Sequence, residues 1–100
     1  MKIEIIQSND AVIATVDGRL DTVTSSEFEQ ALKPYFTTQC VQLVMDCAAM
    51  EYISSAGLRI VLMAHKLVTA NGGRVIIRNL SKEVRSVFDI TGFSRILTIE

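Results

Sequence analysis

The segment EYISSAGLRIVL, residues 51–62, breaks two apolar runs with Ser54-Ser55-Ala56-Gly57. A serine hydroxyl offers three kinds of chemistry there. It caps a helix by accepting a bond from a free backbone N–H, which contributes about 1 kcal/mol. It acts as a nucleophile when a base stands within hydrogen-bond reach. It carries a phosphoryl group placed on it by another protein. Capping needs one serine, and the corner has two. Ala56 and Gly57 lower the surface around a hydroxyl, so that another protein's active site comes close. The following apolar periodicity starts at Leu58, which puts both serines at a helix N-terminus. Free N–H groups and the positive dipole end tolerate a phosphate at such a position.

The nucleophile reading requires a base, and His65 is the only histidine. It lies nearly three turns further along the same helical pattern and cannot bond to Ser55, which speaks against an enzyme. His65 reads as a half-exposed helix residue. Cys40 and Cys47 lie in or beside the apolar run CVQLVMDCAAM and read as small core residues rather than a disulfide. With one histidine and two cysteines, a Cys/His zinc site lacks ligands. There is no phosphate-binding loop, no dinucleotide fingerprint and no repeat, so no cofactor is expected.

The chain has 100 residues, 49% apolar and 21% charged, with a formal net charge of −1. That profile fits one soluble domain spanning residues 1–100, large enough for a core without staples. It implies neither a basic nucleic-acid patch nor an anionic-membrane anchor. The apolar runs break well before the roughly 18 residues that a membrane span needs. Met1-Lys2-Ile3-Glu4 puts an acid where an export signal is apolar, so the cytoplasm is the expected location.

The elements that must hold the serine corner follow from periodicity. KIEIIQ and AVIATVDG predict two strands of a hairpin around Ser8-Asn9-Asp10, the second apolar on both faces and therefore central. Thr24 and Glu27 fit a capping box ahead of a helix whose face is Phe28, Ala31, Leu32, Tyr35 and Phe36. Pro34 should kink or end that helix. CVQLVMD predicts a buried strand and CAAMEYI an irregular segment. GLRIVLMAHKLVTANGG predicts a long helix stopped at Asn71-Gly72-Gly73. RVIIRNL predicts a strand, Ser81 caps a helix that Gly92 closes, and RILTIE predicts a last strand. The order β-β-α-β-α-β-α-β is an α/β layer with a mixed sheet of four to five strands.

ISSAGLRIVL resembles the signature segment of STAS domains, the family of bacterial anti-sigma factor antagonists. The likeness extends through VDGRLDTVTSSEFEQAL and from LVMDCAAMEYISSAGLRIVL to FDITGFSRIL. It implies a small cytosolic switch. The unmodified form binds an anti-sigma factor that is also a serine kinase and frees a sigma factor. Phosphorylation by that kinase ends the interaction, and a metal-dependent serine phosphatase reverses it. The family acceptor lies two residues before the glycine, which here is Ser55, with Ser54 as a rival. The family often has Asp before the acceptor and Ser or Thr after it, where this chain has Ser54 and Ala56. The resemblance also places Asp46 near the acceptor and makes Asp21, Thr22, Ser54, Ala56, Gly57, Leu58 and Arg59 partner-binding residues. Bland alternatives stand beside these roles: Asp21 as a turn or cap residue, Asp46 as a strand-end side chain bonding backbone N–H groups, Arg59 as a solvated side chain. Some modules of the family act instead as docking subunits of ABC-type transporters or larger signalling complexes, without a phosphorylation cycle.

Overall fold

The structure, a computed structural model, describes residues 1–9, 11–37 and 42–100. The hairpin forms as expected. β1 (Lys2–Ser8) pairs antiparallel with β2 (Ala11–Leu20), while Asp10 of the turn lies outside the described residues. β2 is central, paired with β1 on one side and with β3 on the other; Val12, Ala14 and Val16 on one face are buried and Ala11, Ile13 and Thr15 on the other are half-buried. α1 (Ser25–Phe36) buries Phe28, Leu32 and Phe36. Each such side chain contributes about 1.5–3 kcal/mol when fully removed from water. Pro34 does not end this helix, which runs on to Phe36. The last turn is held from outside: Phe36 sits in the core, and its carbonyl accepts from Asn71 Nδ2 at 2.8 Å.

β3 (Gln42–Asp46) and β5 (Arg74–Arg78) each bury three consecutive apolar residues, Leu43-Val44-Met45 and Val75-Ile76-Ile77. Runs of this kind belong to strands covered on both faces. β3 pairs parallel with β2 on one side and with β5 on the other. Between these strands come α2 (Ser55–Ala70) and, before it, a strand the sequence did not reveal, β4 (Met50–Ile53). After β5 follow α3 (Lys82–Thr91), a single 3₁₀ turn over Phe93–Arg95, and a two-residue β6 (Thr98–Ile99). The last strand is shorter than RILTIE suggested because its first residues are taken up by that turn. The sheet order is β1-β2-β3-β5-β6, and β4 joins through β2. The α/β class with a mixed sheet stands, with six strands among the described residues instead of four or five.

β4 exists because β2 outruns β3. Ala11 to Thr15 pair with Gln42 to Asp46, whereas Gly18 to Leu20 pair with Met50 to Ile53. The change of partner falls at Gly18, whose φ is 101° and whose N–H donates to Ala49 C=O at 2.9 Å. A side chain would be strained in that conformation. Cys47 turns the chain there: its N–H bonds to Arg78 C=O, and its carbonyl accepts from Met50 N–H. Cys47 is buried, as expected of a small core residue, and burial followed by the charge of Asp46 pushes its thiol up to about 12. Cys40 lies outside the described residues.

The decisive packing is at the end of this detour. Ser54 N–H donates to Leu20 C=O at 2.8 Å, extending the β2–β4 pairing into the first residue beyond β4. Gly57 then lies directly over the strand pair. A Cβ on it would stand 2.8 Å from Leu20 Cγ and 3.1 Å from Ile53 Cγ1. Leu20 is fully buried and cannot give way. Gly57→Val should therefore lower the unfolding free energy by about 2 kcal/mol, the usual size of an overpacking cost, measured by urea denaturation. A variant as stable as the wild type would show that the helix rides higher than described.

Candidate functional site

Four features fix the serine corner: the β2–β4 pairing, the Leu20–Ser54 hydrogen bond, Gly57 and the cap. Ser54 has extended backbone, and its Oγ accepts from Gly57 N–H at 3.2 Å. It is the N-cap. Ser55 is the first residue of α2 and is exposed, and its hydroxyl takes no part in the cap. Two adjacent serines thus divide two tasks. Ser55, Ala56, Arg59 and Thr22 line a shallow depression of about 430 Å³. Thr22 reaches it from the connection between β2 and α1.

That connection has a cap of its own. Asp21 Oδ1 accepts from the N–H groups of Val23 and Thr24, both at 3.0 Å, and Thr24 Oγ1 accepts from Asp21 N–H at 2.9 Å. This is a reciprocal capping box. It lies one turn earlier than the Thr24–Glu27 pair predicted from sequence, and Thr24 makes no side-chain cap for α1. The Thr24 hydroxyl is instead spent on Asp21 and on Arg19 C=O at 2.8 Å. The backbone N–H of Thr24 is the main cause that holds the Asp21 carboxyl below its ordinary range, with the Thr24 hydroxyl, Val23 N–H and Arg19 adding to it against partial desolvation.

Several expected site residues stand elsewhere. Gly57 and Leu58 are buried, so they form the floor of the corner and present no surface to a partner. Asp46 is not in the depression. Its Oδ1 accepts from Ala48 N–H and Asn79 Nδ2, both at 3.1 Å, which is the strand-end role. Asp21 neighbours the depression through Thr22, but its carboxylate is turned onto its own turn. His65 is roughly 15 Å along the α2 axis from Ser55. It lines a separate apolar groove with Leu62, Lys66, Thr69, Ala70 and Ile96, and so no Ser–His pair forms.

Two features were missed. Val23 is 83% exposed beside Thr22. An apolar residue inside DTVTSS, off the buried face of α1, was the available signal. Arg19 places its guanidinium 4.2 Å from the Tyr52 ring centroid, and the two are register partners across β2 and β4. A cation–π contact of this kind braces the strand pair under the corner. It was invisible while residues 50–53 read as irregular.

Comparison with known proteins now decides the family. A model of the STAS domain matches residues 2–100. The chain belongs to the STAS domain family. Among STAS relatives, BtrV of Bordetella bronchiseptica is 30% identical over 99 residues, covering 99% of this chain and 85% of that protein. The anti-sigma-B factor antagonist of Listeria monocytogenes is 28% identical over 94 residues, 94% of this chain and 82% of its own. Among solved STAS structures, the anti-sigma factor antagonist SpoIIAA in its unphosphorylated form superposes with a TM-score of 0.84 at 20% identity, over 99% of this chain and 88% of that one. The Bacillus SpoIIAA in its phosphorylated form gives 0.78 at 19% identity, over 99% and 91%. Among the described residues, no helix is long and apolar enough to cross a membrane, and no three acidic, histidine or cysteine side chains gather as metal ligands.

The Asp21 box supplies a pH test. A carboxyl with a depressed folded-state value contributes stability that is present above its unfolded value, near 4, and lost as the pH falls through the lower folded value. Asp21→Ala should lower the urea midpoint at pH 7, and the gap from wild type should close below about pH 4. A gap that stays constant down to pH 2 would remove the carboxylate from the account.

Proposed function

We propose that this chain is an anti-sigma factor antagonist whose docking corner is switched by phosphorylation of Ser55. The observation that carries the reading is the division of labour between the two serines: Ser54 is committed to the cap, while Ser55 stands exposed in a depression beside Thr22. Relatives of the chain are named anti-sigma factor antagonists, and SpoIIAA has been solved in both phosphorylation states. In the unmodified form the corner, with Asp21, Thr22, Ser54, Ala56 and Arg59 around Ser55, docks on an anti-sigma factor that is also a serine kinase. A sigma factor is thereby freed, and the cycle runs in the cytoplasm.

The chain is a substrate in this cycle, and the catalytic groups come from its partners. Ser55 Oγ attacks the terminal phosphorus of a nucleoside triphosphate held by the kinase. The bond to the diphosphate breaks, and the hydroxyl proton passes to a base of the kinase. A metal-dependent phosphatase directs water onto the same phosphorus, which releases inorganic phosphate and restores the hydroxyl. The added group carries a charge of about −1.5 to −2 at neutral pH. Desolvating it against a partner is costly, whereas the helix N-terminus accommodates it locally.

Incubation with the cognate kinase and ATP, followed by intact-mass measurement, tests the assignment. Wild type and Ser54→Ala should each gain one phosphoryl group, although Ser54→Ala loses about 1 kcal/mol of stability with its cap. Ser55→Ala should gain none and still bind. Ser55→Asp should bind the kinase more than about tenfold more weakly, with a melting temperature within about 4 °C of wild type. Phosphoryl transfer to Ser55→Ala, or wild-type affinity of Ser55→Asp, would overturn the reading.

A further inference from the structure

We propose that Arg59 is the built-in counter-ion of a phosphoryl group on Ser55. The inference rests on the phosphorylation reading above and names a device that the reading does not contain. Ser55 and Arg59 are four residues apart on α2 and line the same depression. On a helix that spacing sets two side chains one above the other, with Cβ atoms about 5–6 Å apart. A guanidinium carried by a three-carbon stem reaches a phosphoryl group one turn above it and pairs with two of its oxygens at once.

Arg59 is also free to move. It is exposed, and among the described residues it has neither an ion pair nor a hydrogen bond. Three other arginines are engaged: Arg19 lies on the Tyr52 ring, Arg78 pairs with Glu100, and Arg85 pairs with Asp89, whereas Arg74 and Arg95 are, among the described residues, unpaired like Arg59 but line no depression with Ser55. The first turn of α2 carries no acidic residue, whereas α1 and α3 each place one there, Glu27 and Glu83. Of the α-helices among the described residues, α2 alone starts without its own negative group, and a cation waits one turn below it. A dianion on Ser55 completes both. The pairing has a consequence for the switch. A guanidinium drawn onto the phosphate is no longer available to an acidic group of a partner, so modification removes a favourable charge from the docking surface as well as adding an unfavourable one.

Asp21, on the connection facing the start of α2, is the titratable group that neighbours the depression through Thr22, and it is unchanged in every variant below. The comparison between variants therefore isolates Arg59. Phosphoserine is inserted at position 55 during synthesis of the full chain, without any kinase, and the second ionisation is followed by phosphorus NMR against pH. In the wild-type background the midpoint should lie about half a pH unit below that of Arg59→Gln, the size expected for an exposed helical ion pair. Arg59→Lys should recover part of the shift. Coincident curves for wild type and Arg59→Gln would overturn the proposal. Because the phosphate is installed directly, a kinase that ignores Ser55 would defeat the proposed function without touching this result, and the reverse also holds.

Discussion

The absence of a side chain at Gly57 governs the architecture of the corner. Leu20 and Ile53 close the parallel pair of β2 and β4, and the first turn of α2 rests directly on them with no room for a Cβ. Together with the hydrogen bond from Ser54 N–H to Leu20 C=O, this contact fixes the height and angle at which the helix begins. Every chemical property of the site follows from that placement. Ser54 falls where its oxygen meets Gly57 N–H, Ser55 falls on the outer side, and Thr22, two residues beyond Leu20, arrives beside it.

A corner built in this way separates stability from charge. The core beneath it is apolar, and the capping bonds are made by Ser54 and Asp21, so the exposed hydroxyl of Ser55 has no structural duty. Adding negative charge at the first residue of a helix is electrostatically favourable within the chain. The same charge is unfavourable against a docked protein that must displace its water. The two effects have opposite signs because one is local and solvated while the other appears only on burial. In the proposed switch, that asymmetry is what would let a single group change binding and leave the fold intact.

Much of this was legible in the sequence. Continuous apolar runs marked β2, β3 and β5, helical spacing marked the three helices, and Ser81 and Gly92 marked the ends of α3. Ser81 Oγ accepts from Val84 N–H, and Gly92 adopts the left-handed conformation there. The serine corner was legible as a run of small residues between apolar ones. β4 was not, because its two middle residues are exposed and its two ends buried, a pattern with no alternation. Its existence depends on β2 being longer than β3, which is a property of two strands together. The Asp21 box was hidden by a better-looking match three residues on. Pro34 misled because the partner that holds α1 beyond it, Asn71, is distant in sequence. Gly57 and Leu58 looked like surface because the motif is contiguous, whereas a helix turns one side of such a motif inward, here Gly57 and Leu58, and leaves Ser55 and Arg59 outside.

The central claim is that a dianion on residue 55 abolishes docking while the domain stays folded. The most direct test is the amide correlation spectrum of the chain with phosphoserine at position 55, recorded before and after adding the anti-sigma factor. The account predicts shifts confined to residues 21–24 and 54–59 relative to the unmodified chain, and no further change when the partner is added. Shifts spread through β3 and β5, or a partner-induced response equal to that of the unmodified chain, would contradict it.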